Sequence, residues 1–124
     1  MRTVVCLFAF VFFAVAHDPT ELNRQGPDTG SQYRSAIFYA SEEQKTAAQI
    51  YIDELTAAKK YSDPIVTKLE TLDKFYLAEG YHQDYLVQHP EEGYIRVNDI
   101  PKVEELKKQF PEIYIEREGQ YKVK

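Results

Sequence analysis

Strand and helix patterns alternate in the middle of this 124-residue chain, and this alternation constrains the fold more than any other feature. Residues 35–40 form a short run of aromatic and aliphatic side chains, which predicts a strand. Ser41 and Gln44 then form a capping box, so we expect a helix that begins at Glu42. The β-branched run at residues 65–69 predicts a second strand. A strand, a helix and another strand in this order indicate an α/β protein.

Apolar residues at helical spacing indicate three helices. The stripe of the first helix consists of Ala47, Tyr51, Leu55 and Ala58. A second helix is predicted at residues 78–88, where aromatic and apolar side chains recur one turn apart. A third helix contains Pro101 near its start, with Asn98 or Asp99 as its cap, and Pro111 ends it. Together with the two strands, these helices provide enough regular structure for one domain.

The composition excludes several classes of function. The net charge of −5 comes from dispersed Asp and Glu, and without a block of Lys and Arg we expect neither nucleic acid nor an anionic membrane surface as a partner. The only cysteine, Cys6, excludes an intrachain disulfide, a CxxC pair and a thiolate zinc site. His82 and His89 would lie about 10.5 Å apart along a helix axis, too far for one metal ion. We therefore expect no metal site.

The N-terminal segment has two alternative interpretations. Residues 1–16 combine one Arg, an apolar run and a small-residue end, Ala14-Val15-Ala16, which is typical of a secretory signal peptide. The same segment also fits a buried core helix, because periodicity cannot separate the two over so few residues. A core helix predicts a cytoplasmic protein, and a signal peptide predicts a periplasmic or secreted one. The run is too short to span a bilayer, which takes about 20 apolar residues.

The rest of the chain divides into a domain and a tail. Residues 17–30 contain two Pro and two Gly among several Asp, Asn and Thr, which indicates an ordered loop with specific turns. We expect a domain at residues 17–115. Residues 116–124 are polar, and we expect them to fray.

Several stretches of the sequence form an ordered string of motifs. Residues 17–26 read HDPTELNRQG and, after Asp28, residues 30–37 read GSQYRSAI. Residues 78–86 read AEGYHQDYL, and residues 98–111 begin with NDIPKV. This order resembles the signatures of the methionine sulfoxide reductase A family, and the last stretch resembles the branch that lacks C-terminal recycling cysteines. The resemblance implies a two-layer α/β sandwich with a ferredoxin-like core, in the broad sense an α+β fold.

The resemblance also indicates what this sequence does not contain. The family's N-terminal part has a first strand, a Gly-Cys-Phe-Trp motif at a helix start, and a Glu and a Tyr that complete the pocket, whereas this chain has no Trp. We therefore expect the fold to be truncated at its N-terminus and the chain to be inactive alone. Cys6 lies between Val5 and Leu7 in an apolar run, so we expect it to behave as a small hydrophobe and not as the nucleophile.

Two residues match the family's proton-donating groups. Reduction of a sulfoxide requires a thiolate that attacks sulfur and groups that protonate the oxygen, and it leaves a sulfenic acid for another thiol to reduce. By the resemblance, Tyr33 donates a hydrogen bond to the sulfoxide oxygen, and Asp28 orders this donor or its water. The alternatives are a Tyr that covers the core and an Asp that serves the turn after Pro27. The resemblance thus implies Asp28 and Tyr33 as catalytic residues.

Three further residues match family positions near the substrate pocket: His82, Tyr85 and Tyr94. A structural hydrogen bond is the alternative role of His82. Ile95 stands where many members have a recycling cysteine, so the resemblance implies an external reductant such as thioredoxin or glutaredoxin, and no bound cofactor. The implied substrates are proteins and peptides with oxidised methionine and free methionine sulfoxide. We expect a complete member to be a monomer.

Two other functions stay open at this point. A small secreted acidic binding protein would lose residues 1–16 and use its Tyr-rich surface for partners. A regulatory paralogue would bind oxidised methionine without reducing it. The N-terminal residue of the mature protein separates the first from a reductase, and turnover of bound substrate separates the second.

Overall fold

The structure, a computed structural model, describes Phe13 and residues 15–115, and the chain divides into two compact units. The first unit runs to Phe75 and contains both small sheets, and the second starts at Tyr76 and its described elements are helices. Most of the N-terminal segment and the whole predicted tail, residues 116–124, lie outside the described residues. Within the described part of the chain, no helix is long and apolar enough to cross a membrane.

The loop predicted at residues 17–30 contains a short hairpin. β1 (Arg24–Gln25) pairs antiparallel with β2 (Asp28–Thr29). Gly26 has a φ of +57°, a left-handed conformation that glycine adopts without a side-chain clash, and this lets the chain reverse within two residues. A 3₁₀ helix (Ser31–Tyr33) follows directly. The hairpin and this helix carry the segment that holds both predicted catalytic residues.

A strand-helix-strand motif forms the larger part of the first unit. β3 (Ala36–Tyr39) leads into α1 (Glu42–Ala57), and the chain returns in β4 (Lys68–Thr71). β3 and β4 are parallel, with Ile37 opposite Leu69. Parallel strands need a crossover connection, and α1 is part of it. The predicted α/β class is confirmed.

The helix α1 begins where the capping box predicts. The Ser41 hydroxyl accepts a hydrogen bond from the Gln44 N–H at 3.3 Å, and the Gln44 side-chain oxygen accepts one from the Ala40 N–H at 2.8 Å. The reciprocal bond therefore reaches one residue further back than in the usual capping box. Glu42 and Glu43 in the first turn suit the positive end of the helix dipole. Local chemistry is thus sufficient to start this helix.

The buried face of α1 differs from the predicted stripe at two positions. Ala48 is 1% exposed, and Tyr51 and Leu55 are half-buried. Ala58 is exposed, because α1 ends before it and Lys59 then takes a left-handed φ of +51°. The buried face therefore centres on Ala48, and the prediction that Ala58 belongs to it is wrong.

The second strand begins later than the pattern predicts. The prediction is residues 65–69, whereas β4 begins at Lys68 and ends at Thr71. The Val66 N–H donates to the Pro19 carbonyl at 2.9 Å, so this part of the chain bonds to the loop before β4 begins. A partner so distant in sequence leaves no mark on the local pattern of apolar residues. The predicted start of the strand is wrong for this reason.

Aromatic contacts of Phe13 join the N-terminal part of the first unit to α1. Phe13 is helical and 7% exposed, and its ring makes edge contacts with His17 and Tyr51 at centroid distances of 4.6 and 6.3 Å. Each such ring pair stabilises the fold by about 0.5–1.5 kcal/mol beyond the contribution of the area that it buries. Burial is also the main cause that raises the pKa of Tyr51. Phe13 is therefore part of the folded core.

In the second unit, the helix predicted at residues 78–88 is broken. A 3₁₀ helix (Gly80–His82) and the single turn α2 (Tyr85–Gln88) stand in its place. Asp84 lies between them with a left-handed φ of +55°. A residue in this conformation cannot continue an α-helix, and Asp tolerates it better than most residues. The prediction of one continuous helix is wrong here.

The third helix starts earlier than predicted. A π-helical segment (Ile95–Asp99) runs directly into α3 (Ile100–Gln109). The Asn98 side chain donates to a backbone carbonyl one turn earlier at 3.1 Å, and Asp99 makes no side-chain capping bond. Asp99 thus holds the predicted cap position directly before α3, but its side chain does not cap the helix. The predicted end of the helix before Pro111 is confirmed.

Candidate active site

The two predicted catalytic residues lie on consecutive elements of the first unit. Asp28 is half-buried on β2, and Tyr33 ends the 3₁₀ helix with 40% of its surface exposed. Gly30 lies between them: its N–H donates to the Asn23 carbonyl at 2.9 Å, and its carbonyl accepts from the Tyr33 N–H at 3.0 Å. These two backbone bonds place Asp28 and Tyr33 on one short, hydrogen-bonded segment.

Two carboxylates hold the hairpin loop together. Glu21 accepts hydrogen bonds from the Arg24 guanidinium and from the Gly26 N–H, the latter at 2.7 Å. These bonds, that of Arg24 first, lower the pKa of Glu21. Asp18 accepts hydrogen bonds from the N–H and the hydroxyl of Thr20 at 2.9 and 2.6 Å. Both carboxylates are thus engaged with the loop that carries them.

The Gln25 side chain connects the hairpin to the start of the loop. Its Oε1 accepts from the Asp18 N–H at 2.8 Å, and its Nε2 donates to the Asp18 carbonyl at 3.1 Å. The amide therefore bonds to Asp18 as a second backbone strand would. Gln25 also lies opposite Asp28 in the β1–β2 ladder. Gln25 therefore bonds to the start of the loop through its side chain and pairs with the predicted catalytic residue Asp28 through its backbone.

The residue after Tyr33 is attached to β4 by an ion pair. Arg34 donates to Glu70 through Nη2 at 2.8 Å and through Nε at 3.3 Å. Two parallel bonds of this kind fit the planar guanidinium group. The hydrogen bond is the largest cause that lowers the pKa of Glu70 and raises that of Arg34. Because each side chain is about a third exposed, the pair directs geometry more than it adds stability.

Three residues that hold this segment were missed by sequence reasoning: Ser35, Thr67 and Glu70. Ser35 is 5% exposed, and its hydroxyl lies 2.8 Å from that of Thr67. The only signal is that Ser35 belongs to the GSQYRSAI string. Its partner Thr67 is 32 residues further along the chain, and Glu70 is 36 residues beyond Arg34, so periodicity could not pair them.

In the second unit, Tyr85 is half-buried between polar partners. Its hydroxyl donates to Glu92 Oε2 at 2.7 Å, and its ring lies against the His89 ring at a centroid distance of 4.3 Å. The hydrogen bond is the main cause that raises the pKa of Tyr85. Asp84 separates Tyr85 from His82, so the prediction that both lie on one helix is wrong.

His82 and Tyr94 are exposed. The His82 ring lies against the Tyr81 ring at a centroid distance of 4.3 Å, and its backbone N–H donates to the Glu79 carbonyl at 2.9 Å. Tyr94 is 43% exposed, and the next residue, Ile95, is 4% exposed. Ile95 is therefore a buried aliphatic residue next to an exposed tyrosine.

The predicted site residues lie in both units. The first unit holds a half-buried carboxylate, Asp28, and an exposed phenol, Tyr33, on one segment. The second unit holds Tyr85 with Glu92, and its His82 and Tyr94 are on other turns. Within the described ranges, no group of three or more His, Cys, Asp and Glu side chains could hold a metal ion. The exposed Tyr33 phenol can donate a hydrogen bond to a polar ligand.

The parallel β3–α1–β4 motif and the loop that carries Asp28 and Tyr33 define an α/β protein with a phenol and a carboxylate on one segment. The sequence profile of the peptide methionine sulfoxide reductase family matches residues 6–114. The chain belongs to the peptide methionine sulfoxide reductase family.

Individual relatives agree with this assignment. The chain is similar to peptide methionine sulfoxide reductase MsrA 2 of Mesorhizobium japonicum, with 56% identity over 107 residues, 86% of this chain and 55% of that protein. It is also similar to MsrA of Natronomonas pharaonis, with 49% identity over 102 residues, 82% of this chain and 57% of that protein. The chain therefore spans about half the length of these relatives.

A solved structure supports the fold. The crystal structure of Mxr1 from Saccharomyces cerevisiae in reduced form superposes with a TM-score of 0.61 and 39% identity. The superposition covers 71% of this chain and 47% of the yeast chain. The superposed part of this chain thus shares its fold with yeast Mxr1.

Proposed function

We propose that this chain contributes the sulfoxide-binding and proton-donating part of a methionine sulfoxide reductase site. In this proposal the Tyr33 phenol donates a hydrogen bond to the sulfoxide oxygen, and Asp28 orders that donor or a water beside it. The observation that carries the proposal is that both residues lie on one hydrogen-bonded segment, inside the part of the chain that the family profile matches. The 40% exposure of Tyr33 supports access of a ligand to its ring.

The chemistry explains why such a donor is needed. A thiol attacks the sulfoxide sulfur, the oxygen passes to the thiol, and the products are a thioether and a sulfenic acid. Two further thiols reduce the sulfenic acid to the thiol, forming a disulfide and water. The oxygen gains negative charge as sulfur is attacked, so a donor aimed at it lowers the barrier. Tyr33 is proposed for this task and Asp28 for its orientation.

We propose that the nucleophilic thiol is not Cys6. Cys6 lies outside the described residues, and in the sequence it stands between Val5 and Leu7 within an apolar run. A reactive thiolate requires a polar or cationic setting, such as a helix N-terminus. The 124-residue polypeptide by itself is therefore expected to bind a sulfoxide without turning it over. An external dithiol protein of the thioredoxin or glutaredoxin type is the proposed reductant of the complete reaction.

By the family resemblance, His82, Tyr85 and Tyr94 are proposed as residues of the substrate pocket. The exposed ring of Tyr94 and the ring of Tyr85 offer apolar surface for a methyl-sulfinyl group. The Tyr85 hydroxyl donates to Glu92 and one part of the ring packs against His89, so the proposed contact is with the exposed part of the half-buried ring. The His82 ring packs on the Tyr81 ring, and its proposed contribution to the pocket is this ring contact.

A second candidate function is binding of oxidised methionine without reduction, and the single cysteine in its apolar setting favours it for this polypeptide. The two functions share the same binding site. They differ in whether a nucleophilic thiol reaches the bound sulfur. A secreted acidic binding protein would instead show a mature N-terminus after Ala16, which N-terminal sequencing of the native protein reports.

Stereoselective binding tests the proposal. We would titrate the chain with N-acetyl-methionine sulfoxide methylamide as its separate S and R epimers and observe tyrosine ring signals by NMR, with the thioether as matched control. We expect the S epimer to bind more tightly than the R epimer and the thioether, and Tyr33→Phe to weaken only the S epimer. Equal affinities for both epimers and the thioether would overturn the proposal.

A further inference from the structure

Three polar side chains, of which Ser35 is buried and His17 and Thr67 are half-buried, are linked by hydrogen bonds close in sequence to Tyr33. The Ser35 hydroxyl is 2.8 Å from His17 Nε2 and 2.8 Å from the Thr67 hydroxyl, and His17 Nδ1 is 2.9 Å from the Phe13 carbonyl. Ser35 is 5% exposed. Three segments that are distant in sequence therefore meet at one serine hydroxyl: the end of the N-terminal segment, the start of β3 and the start of β4.

When the His17 ring is neutral, it is determined which group donates and which accepts in each of these hydrogen bonds. The Phe13 carbonyl can only accept, so His17 Nδ1 carries the ring proton and Nε2 accepts. The Ser35 hydroxyl must then donate to His17, and it accepts from the Thr67 hydroxyl. Each hydroxyl has one proton, so if either group turned away, the buried Ser35 hydroxyl or the half-buried His17 ring would lose a hydrogen bond, which costs about 1–3 kcal/mol where the group is fully buried. These hydrogen bonds therefore allow the Ser35 side chain only one arrangement.

The backbone around Ser35 is held in the same place. The Ser35 carbonyl accepts from the Lys68 N–H at 3.0 Å, and the neighbouring Arg34 forms its double hydrogen bond with Glu70. Arg34 is thus bonded to β4 through its side chain, and Ser35 is bonded to β4 through its backbone and to Thr67, the residue before β4, through its side chain. On the other side, the Tyr33 N–H bonds to the Gly30 carbonyl at 3.0 Å. Tyr33 thus lies between its own backbone bond to Gly30 and the bonds of Arg34 and Ser35.

We propose that Ser35 and Thr67 are positioning residues for Tyr33. They hold the backbone at residues 33–35 so that the phenol reaches a bound sulfoxide oxygen, and they touch neither the substrate nor the reacting atoms. The direction of the phenol toward a sulfoxide rests on the proposed function. The coupling between Thr67 and the Tyr33 ring does not depend on it, and the two parts can be tested separately.

A set of threonine variants tests the coupling. Thr67→Val keeps the shape of the side chain and removes the hydroxyl, and Thr67→Ser restores the hydroxyl. Thr71→Val is the matched control, because Thr71 lies at the other end of β4, is exposed, and its hydroxyl also bonds to another side chain, that of Tyr39, at 3.2 Å. The readout is the Tyr33 ring signal in protein labelled with ¹³C-tyrosine, assigned by its loss in Tyr33→Phe.

We expect Thr67→Val to shift the Tyr33 ring signal, and Thr67→Ser and Thr71→Val to leave it in place. The affinity for the S sulfoxide is expected to fall about three- to tenfold in Thr67→Val, as for the loss of one neutral hydrogen bond. An unchanged ring signal in Thr67→Val, or an equal shift in Thr71→Val, overturns the proposal. A shifted signal in a protein that binds neither epimer preferentially supports the coupling and overturns the proposed function instead.

Amide hydrogen exchange of the unmodified chain gives a test that does not depend on how the variants fold. The N–H groups of Tyr33 and Arg34 bond within the 3₁₀ turn, and that of Lys68 bonds to Ser35. If Ser35 joins them into one unit, these three amides open together with similar protection. Exchange of Tyr33 at least a hundredfold faster than that of Lys68 would overturn the positioning role, because Tyr33 would then move while its anchor stays closed.

Discussion

Gly30 controls the backbone between Asp28 and Tyr33, and its replacement by Ala should destabilise the protein. Its φ of +142° and ψ of +161° lie in a region that only glycine adopts readily. Gly26, on the same loop, has a φ of +57°, a left-handed conformation that other residues adopt at moderate cost. The two glycines therefore form a matched pair, in which the same substitution meets two different backbone conformations.

The expected magnitudes follow from these angles and from the space at each site. A Cβ on Gly30 would meet the side-chain amide of Gln32, whose Nε2 would be 3.0 Å away, whereas nothing lies within 4 Å at Gly26. Backbone strain of this kind costs about 1–3 kcal/mol, and the lower entropy of the unfolded Ala chain offsets about 0.4–1 kcal/mol. We expect Gly30→Ala to lower the free energy of unfolding by about 2 kcal/mol, and Gly26→Ala to lower it by about 1 kcal/mol or less.

Urea unfolding followed by far-ultraviolet circular dichroism measures both losses, with equal m values as the check that the unfolded states are comparable. Gly26→Asn serves as the control, since Asn tolerates the left-handed conformation, and it should stay close to the unmodified protein. A Gly30→Ala variant as stable as Gly26→Ala would refute the reasoning, because it would mean that the loop can adopt another backbone path between Asp28 and Tyr33.

Three smaller perturbations test other parts of the structure. Ser41→Ala removes the hydroxyl that caps α1 and should cost about 1 kcal/mol in the same urea experiment, and no loss would show that the cap is not needed. Arg34 lowers the pKa of Glu70 below its ordinary value of 4.5, so the stability that Glu70 adds is present above pH 4.5 and is lost as pH falls through the lowered pKa. The difference in stability between the unmodified protein and Glu70→Gln should therefore disappear in acid. A difference that is independent of pH would contradict the pairing. Glu92→Gln should lower the pKa of Tyr85 towards its ordinary value of 10.0, measured by NMR titration of the ring, and an unchanged pKa would contradict the Tyr85–Glu92 hydrogen bond.

The sequence predicts the elements whose causes are local. The start of α1 depends on Ser41 and Gln44, which lie within one turn of each other: Ser41 forms the expected bond, and the Gln44 side chain bonds to Ala40, one residue before it. The end of the third helix before Pro111 is equally local. The helix predicted at residues 78–88 fails because spacing alone does not reveal that Asp84 takes a left-handed conformation. Periodicity reports which residues can share a face, and not whether the backbone between them is continuous.

The candidate site divides in the same way. Asp28 and Tyr33 stand in a recognisable string, so the sequence is sufficient to single them out, although their roles remain proposals. The residues that hold them were not predicted, because Ser35 and Thr67 meet only after the chain has passed through α1. The late start of β4 has the same origin, since Val66 bonds to the distant Pro19. Long-range hydrogen bonds of single polar groups leave no periodic signal in the sequence.

Single-turnover chemistry tests the central claim most directly. A family-like N-terminal segment with a Gly-Cys-Phe-Trp motif, joined upstream of Phe12, would supply the nucleophile, and reduction of the S sulfoxide peptide to its thioether would then be timed. We predict that the 124-residue chain alone gives no thioether and that the joined protein reduces the S epimer. Tyr33→Phe in the joined protein should slow the reaction about 100- to 1000-fold, as for loss of an oxyanion donor, while the control Tyr39→Phe should not. A Tyr33→Phe rate equal to that of Tyr39→Phe would contradict the assignment of the proton-donating role to Tyr33.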